Sequence, residues 1–347
     1  MTKRVVIVIP TAETPSWEFQ RHLPKDVPVI VVDGSGGKLS LDKKRYDIYG
    51  FDRQKKILGS LYKSFRMFQG ASACRNFGHF LALKQGFEII IALDYDCIVP
   101  HDFIKKHVDA LKLRTISVVY SENGWINPIA PTGWYSRGYP YEKRYPTKVT
   151  QKREQVRVGF NMGLWENVVD INGIDKVLKK PPTKLNYSPA RVGAGSMLPI
   201  SGMNNAFLSE LVFAYLLLPN VLIQGWELSR HDDIWGGYIL KRILDKKKVA
   251  VSFGEPVIYH AKESWQPRVL AHEHYLHLMS EKFYRLVDEA MTHVEVDTYQ
   301  NMFAQFVRYF KVEINKSREQ HLPPHYYDAF IYLERGMQWW VNLCQKL

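Results

Sequence analysis

Residues 87–100, FEIIIALDYDCIVP, constrain the fold more than any other stretch of the chain. Their apolar run leads directly into two carboxylates, Asp94 and Asp96, separated by one residue. A short continuous apolar run reads as a strand buried on both faces, as in a parallel sheet covered by helices. The acids then fall at the strand's carboxyl end, where open α/β sheets bind their ligands. In extended backbone, residues i and i+2 face the same side, so both carboxylates can address one ligand. Such a pair suits a hard divalent cation, Mg²⁺ or Mn²⁺, and through it a diphosphate. Taken alone, an Asp-x-Asp is more often an acidic loop after a core strand, so the rest of the chain has to decide.

Residues 5–9 are a β-branched run ending at Pro10-Thr11, and residues 27–32 repeat the pattern before Asp33-Gly34-Ser35-Gly36-Gly37. With room for one short helix at 17–23, this is a βαβ unit, whose parallel strands are joined right-handedly. The Gly-rich turn lets backbone approach a ligand closely. Asp33 within it either accepts hydrogen bonds from a base or ribose or simply forms the turn. Residues 46–49 read as a third short strand. Residues 70–78, GASACRNFG, open a helix that runs to about residue 85 and closes at Gly86, with Ser72 as N-cap. Arg75, in its first turn, is placed to hold phosphate or ribose.

Beyond Asp96 the pattern predicts a helix at 102–113 and a strand at 115–120. Residues 122–157 lack periodicity and are rich in Gly, Pro, Trp and Tyr. So long an irregular stretch in a compact domain is functional or disordered, and its aromatics favour a substrate-facing loop. Residues 197–207 read as a strand that breaks at a Gly/Asn turn before an apolar helix. Asp232 and Asp233 open another helix, where they either serve its dipole or face a ligand. Residues 249–253 and 256–259 are short strands, the second leading to His260. From 266 onward apolar residues recur at helical spacing. The expectation is an α/β fold with a mostly parallel sheet flanked by helices, a catalytic domain over 1–265 and a C-terminal helical subdomain over 266–347.

The chain has 347 residues, 46% hydrophobic and 24% charged, the composition of a soluble globular protein. Its net charge of +12 is spread over short Lys/Arg runs, which read as solvated faces rather than a nucleic-acid footprint. A basic balance also favours a polyanionic small substrate such as a nucleotide sugar. Three cysteines without metal spacing point to a reducing compartment, the cytoplasm. The N-terminus reads as a first strand and not a signal peptide, and the longest apolar run, 211–223, is too short and too interrupted to span a bilayer.

The ordered set is more specific than any one motif: strands ending Ile9-Pro10-Thr11 and Val32-Asp33-Gly34-Ser35, Ser72-Ala73-Cys74-Arg75-Asn76 before a helix, Asp94-x-Asp96, Asp232-Asp233, and His260 after a strand. This order resembles the glycosyltransferase-A fold of nucleotide-diphospho-sugar transferases, and residues 1–100 look like the inverting glycosyltransferases of family 2. Downstream, Arg137-Gly138-Tyr139-Pro140, Gly163-Leu164-Trp165, Ser201-Gly202-Met203-Asn204, Asp232-Asp233-Ile234-Trp235 and Tyr259-His260-Ala261-Lys262-Glu263-Ser264 resemble the reversibly glycosylated polypeptides. That is glycosyltransferase family 75, which includes the UDP-arabinopyranose mutases. The resemblance covers roughly residues 4–265; the stretch from 144 to 163 is longer here, and the helical tail matches less well.

The resemblance implies a metal-dependent UDP-sugar enzyme. Asp94 and Asp96 would hold Mn²⁺ or Mg²⁺, with His260 completing the shell. Pro10, Thr11, Asp33, Arg75 and Asp94 would line the UDP site. Arg137 matches the arginine that carries the reversible glycosyl group, with Arg144 its necessary neighbour; from chemistry alone, a guanidinium suits phosphate clamping better than nucleophilic attack. Asp232 or Asp233 would shuttle protons between ring hydroxyls during pyranose–furanose exchange. That chemistry needs neither flavin nor NAD, and the glycine loop at 34–37 does not match a dinucleotide fingerprint. The expected function is a self-glycosylating UDP-sugar mutase. The alternatives are a transferase to a separate acceptor, with the loop at 125–145 as its platform, and a non-catalytic UDP-sugar-binding scaffold. Homo- or hetero-oligomers are also implied.

Overall fold

The computed structural model describes residues 4–69, 72–112, 114–130, 132–184, 187–262 and 266–347. Gly70, Ala71 and Leu113 of the predicted helices, Glu263 and Ser264 of the late motif, and the expected boundary at 265 lie outside them.

Three β-branched segments and one short strand form the parallel half of the sheet: β1 (Val5–Thr11), β2 (Val29–Asp33), the short β3 (Asp47–Tyr49) and β4 (Ile89–Leu93), in the order β3-β2-β1-β4. Every residue of β2 and β4 is buried, as strands covered on both faces require. Their connections carry α1 (Trp17–His22), α2 (Phe51–Leu58), α3 (Tyr62–Phe65) and α4 (Arg75–Lys84). Gly78 lets α4 lie close on the sheet, for a Cβ there would stand 2.4 Å from a methyl of Val8. The register pairs Thr11 with Asp33, so both fall at one level of the sheet edge that Leu93 approaches from β4.

The second half follows as β5 (Cys97–Ile98), α5 (Phe103–Ala110), β6 (Arg114–Ser121), β7 (Val149–Asn167), α6 (Gly173–Leu178), β8 (Ala190–Val192) and β9 (Asn204–Leu208). The hairpin β10 (Val221–Ile223) and β11 (Trp226–Leu228), then α7 (Asp232–Lys246) and β12 (Val249–His260), complete the core. The full ten-stranded order is β3-β2-β1-β4-β9-β7-β6-β8-β12-β5. Strand β9 runs antiparallel between β4 and β7, and β12 runs parallel to β7. The α/β class with flanking helices is as expected, and the architecture is consistent with a glycosyltransferase-A-like fold.

Several local expectations are corrected. Residues 149–157 are not loop but the first half of β7, a 19-residue strand. Its charged half pairs antiparallel with β6, exposed enough that Gln, Lys, Arg and Glu replace the usual β-branched residues. Residues 204–208 form a central strand and not a helix; Asn204 and Asn205 are tolerated inside because their side-chain amides are bonded to carbonyls of Leu164, Pro256 and Ser201. The two short strands near 249–259 are one strand with a register shift between Gly254 and Val257. Among the described residues Ser72 caps no helix; it sits in a 3₁₀ turn (Ser72–Cys74) and gives its hydroxyl proton to Asp232.

The helical tail forms α8 (Gln266–Thr292), α9 (Tyr299–Glu319) and α10 (Pro324–Cys344). It is packed into the same hydrophobic core as the sheet domain. Trp235 of α7 stacks on Phe283 of α8 at 4.2 Å between ring centroids, and Trp339 of α10 stacks on Phe65 and packs at a tilt against Phe68. Among the described residues no helix is long and apolar enough to cross a membrane.

Candidate functional site

The carboxyl ends of β4 and β12 and the start of α7 converge on a cavity of about 570 Å³. A smaller pocket of about 230 Å³, lined by Pro10, Thr11, Ala12 and Gly34, opens beside it. Ser72, Arg75, Asp94, Tyr95 and Asp96 line both.

The acid pair is held by pairing on either side. Met203 accepts the Asp94 backbone N–H at 3.0 Å, and Asp96 accepts that of Ala261 at 3.0 Å. The register of β12 with β5 sets His260 opposite Cys97, which brings the imidazole beside Asp96. His260 Nδ1 lies 2.9 Å from the Val168 carbonyl, which can only accept, so this nitrogen carries the proton. Its Nε2 faces Asp96 Oδ2 at 3.6 Å. Burial disfavours the charged imidazole, but Asp96 and the Val168 carbonyl outweigh it and raise the His260 pKa. Asp94 is bound to Arg75, whose guanidinium also reaches Gly202 O at 2.5 Å and Ser72 O at 3.1 Å.

Among the described residues no three His, Cys, Asp or Glu side chains converge as a ready-made metal cage. The donors present nevertheless fit a hard cation: a carboxylate, an imidazole nitrogen oriented by its backbone bond, and space for phosphate oxygens to supply the remaining ligands.

Arg137 is the centre of a buried ion network. Nε and Nη2 donate to Asp170 at 2.7 and 3.0 Å, and Nη1 and Nη2 to Asp233 at 2.9 and 2.6 Å. Nη1 also donates to Arg230 O at 2.5 Å, so all five N–H groups of the side chain have protein acceptors. Two buried carboxylates raise its pKa against the opposing effect of burial. Burial alone would raise Asp170, but Arg137 and Arg230 hold it well below the usual carboxylate range. Asp233 additionally accepts the N–H of Gly202 at 2.7 Å and of Ile234 at 2.8 Å. Asp232, next to it and also lining the cavity, has Ser72 as its hydrogen-bond donor. Burial, and then the neighbouring Asp233, push the Asp232 pKa up to about 6, with Ser72, Arg137 and Arg75 pulling it back.

The structure thus brings together Arg75, Asp94, Asp96, Arg137, Asp232, Asp233 and His260, with Pro10 and Thr11 in the adjoining pocket. Two expected residues stand apart. Asp33 turns its carboxylate onto its own loop, accepting from Ser35 N at 2.7 Å, Ser35 Oγ at 2.6 Å and Gly37 N at 3.2 Å, the turn-forming arrangement. Arg144 lies in a separate cavity with Trp134, Tyr135 and Lys179, paired with Asp175 at 2.9 Å and packed over Tyr141. The loop expected to face substrate packs largely on itself and on the tail, with Trp125 against Tyr139 and Tyr284. Among its described residues Arg137 alone lines the larger cavity.

Sequence reading missed Asp170, Ser201 as a donor to Asp170 at 2.7 Å, and Arg230. The available signal was Asp170 itself, a single acid in the apolar window Val168-Val169-Asp170-Ile171.

The fold and cavity define an α/β protein whose ligand site is built from acidic and basic side chains at strand ends. The chain belongs to the reversibly glycosylated polypeptide family, whose model matches residues 2–347 and so extends through the helical tail. It is 30% identical over 269 residues to UDP-arabinopyranose mutase 1 of Arabidopsis thaliana, covering 74% of this chain and 71% of that protein. UDP-arabinopyranose mutase 1 of Oryza sativa subsp. japonica is 26% identical over 353 residues, 98% of this chain and 90% of its own length. UDP-arabinopyranose mutase 3 of Arabidopsis thaliana is also 26% identical, over 98% of this chain and 91% of its own.

Proposed function

We propose that the protein is a UDP-sugar mutase that exchanges the pyranose and furanose forms of UDP-arabinose or a related UDP-sugar. The names of its relatives support the reaction class. The observation that carries it is the wall shared by the two cavities. A ligand with uridine in the small pocket must pass Asp94 and Asp96 with its diphosphate before its sugar reaches Asp232.

In this reading Pro10, Thr11 and Gly34 enclose the uridine. Arg75 holds Asp94 in place and leaves Asp96 and His260 to face the diphosphate. Mn²⁺ or Mg²⁺ held there would stabilise negative charge on the departing UDP. Once the anomeric carbon–oxygen bond to UDP has broken, the ring must reclose through a different hydroxyl before that bond re-forms. Asp232 takes the proton of the closing hydroxyl and returns one to the oxygen that is freed. A carboxyl with a pKa of about 6 is suited to both halves of that exchange near neutral pH. The reaction is redox-neutral and calls on no nicotinamide or flavin.

The family description names a glycosylated polypeptide, and we extend this to Arg137. An Nη nitrogen would displace UDP from the anomeric carbon, and Asp233 would take the proton released. We also assign the reaction to the cytoplasm, because Cys74, Cys97 and Cys344 are all free and buried.

Incubation with labelled UDP-arabinopyranose and Mn²⁺, followed by chromatography and peptide mapping, tests this. UDP-arabinofuranose is the expected product, with label on the peptide containing Arg137. Free UDP without furanose would indicate transfer or hydrolysis instead, and label on another peptide would remove Arg137 from that role. Asp96→Asn should abolish the metal-dependent part of UDP binding in calorimetry while leaving the melting temperature near wild type. Undiminished metal dependence would exclude Asp96 from the cation site.

A further inference from the structure

Arg230 differs from Arg75 and Arg137, the buried arginines of the cavity. It stands two residues before Asp232 with φ of +59°, a left-handed backbone that is costly for any residue with a Cβ and that concentrates at functional sites. Its guanidinium is gripped from behind. Nε donates to Glu273 Oε1 of α8 at 2.8 Å, and Nη2 reaches Asp170 Oδ1 at 3.3 Å. Nη1 meets no acceptor among the described residues, and the side chain, 27% exposed, lines the larger cavity. Arg75 and Arg137, by contrast, are 1% and 7% exposed, and Arg137 has every donor engaged. Glu273 is wholly buried, its other oxygen accepting the N–H of Gly173 at 2.6 Å. A carboxylate so enclosed fixes Arg230 in one orientation.

Direction within the cavity assigns the partner. Arg230 lines the larger cavity but not the small pocket, whereas the acid pair lines both. A ligand running from pocket to cavity has its diphosphate at Asp94 and Asp96 and its sugar beyond, beside Asp232 and Arg230. We infer that Arg230 is the specificity residue for the sugar, donating both Nη1 hydrogens to its hydroxyls, and that Glu273 of the tail is its positioning residue. The inference rests on the UDP-sugar reading above. It makes the tail helix part of the site's construction.

Calorimetric titration of the full chain with UDP and with UDP-arabinopyranose, both with Mn²⁺, separates the two contributions. Arg230→Gln should weaken UDP-arabinopyranose binding by about tenfold or more, as loss of charge-assisted hydrogen bonds does, with UDP affinity within about twofold of wild type. Glu273→Gln should erode the same preference for the sugar-bearing ligand, and Glu273→Asp should recover part of it; a merely structural role would weaken both ligands alike. Retained UDP binding reports an intact fold in each variant, and Arg230→Lys provides a second substitution if Arg230→Gln does not fold. Equal losses for UDP and UDP-arabinopyranose, or no loss for either, would overturn the assignment. A wild-type protein that binds neither ligand would instead overturn the UDP-sugar reading on which it rests.

Discussion

Replacing Asp232 with Asn should lower turnover by about 10²–10⁴-fold, the usual contribution of a positioned general acid–base group, while UDP affinity stays within about twofold. The substitution keeps size and an acceptor for Ser72, so geometry is preserved and only the exchangeable proton is lost. The same step sets the pH profile. Asp232 must be ionised to accept a proton, and its pKa is raised to about 6, first by burial and then by Asp233. The acid limb of kcat/KM should therefore fall near pH 6, above the ordinary carboxylate range, and Asn should abolish it. Stability has the opposite sign. A carboxyl whose folded pKa lies above its unfolded value stabilises the protein fully below the unfolded pKa, and that contribution is lost as pH rises toward 6. Asp232→Asn should thus be neutral or stabilising at pH 7. Lost turnover with an unchanged or higher melting temperature identifies chemistry; a matching loss of stability would reject the assignment.

Why Asp232 and not its neighbour follows from what each side chain already holds. Asp233 is occupied by two nitrogens of Arg137 and by the backbone N–H of Gly202 and Ile234. It is thereby committed to holding Arg137 and the start of α7, and only secondarily free to meet the proton of an Arg137 adduct. From sequence the two acids were interchangeable, because adjacent residues at a helix start are distinguished by their tertiary partners alone.

The same limit separates the legible parts of the molecule from the rest. The parallel half of the sheet was readable because strands buried on both faces are nearly pure Val and Ile, and because Pro, Gly and Asp mark where they end. The positions of Asp94, Asp96 and His260 followed, since each lies at or just beyond the end of a strand. Strand β7 was not readable: its first half, Val-Thr-Gln-Lys-Arg-Glu-Gln-Val, is solvated and pairs with β6, so its composition records exposure and not pairing. The family resemblance sets Asp33 and Arg144 among the site residues, yet the one closes its own turn and the other pairs with Asp175 in a separate cavity. Asp170 and Glu273, which carry no motif, became visible only through the arginines they face.

The largest structural effect is expected at Arg137. Arg137→Ala removes the bidentate partner of Asp170 and of Asp233, leaving two buried carboxylates with neutral or single-cation company. Breaking a buried ion pair from one side costs about 3–5 kcal/mol, because the remaining charge stays desolvated. Urea titration at pH 7 should show a loss of that order, with an unchanged slope if the variant still unfolds in one step. Its pH dependence distinguishes this cause from simple lost packing. In the wild type, Arg137 and Arg230 depress the Asp170 pKa, so the pair's contribution is present above the unfolded carboxylate pKa and is lost only as pH falls through the lower folded value. Without Arg137 the burial of Asp170 is opposed only by Arg230 and the Ser201 hydroxyl, and protonation relieves it. The gap between variant and wild type should accordingly narrow from pH 7 to pH 5. Arg137→Ala combined with Asp170→Asn should recover part of the stability, since removing the orphaned charge removes its desolvation penalty. A deficit that is constant with pH and unaffected by Asp170→Asn would mean that Arg137 contributes through packing of its aliphatic stem, and that the ion network does not hold the wall of the cavity together.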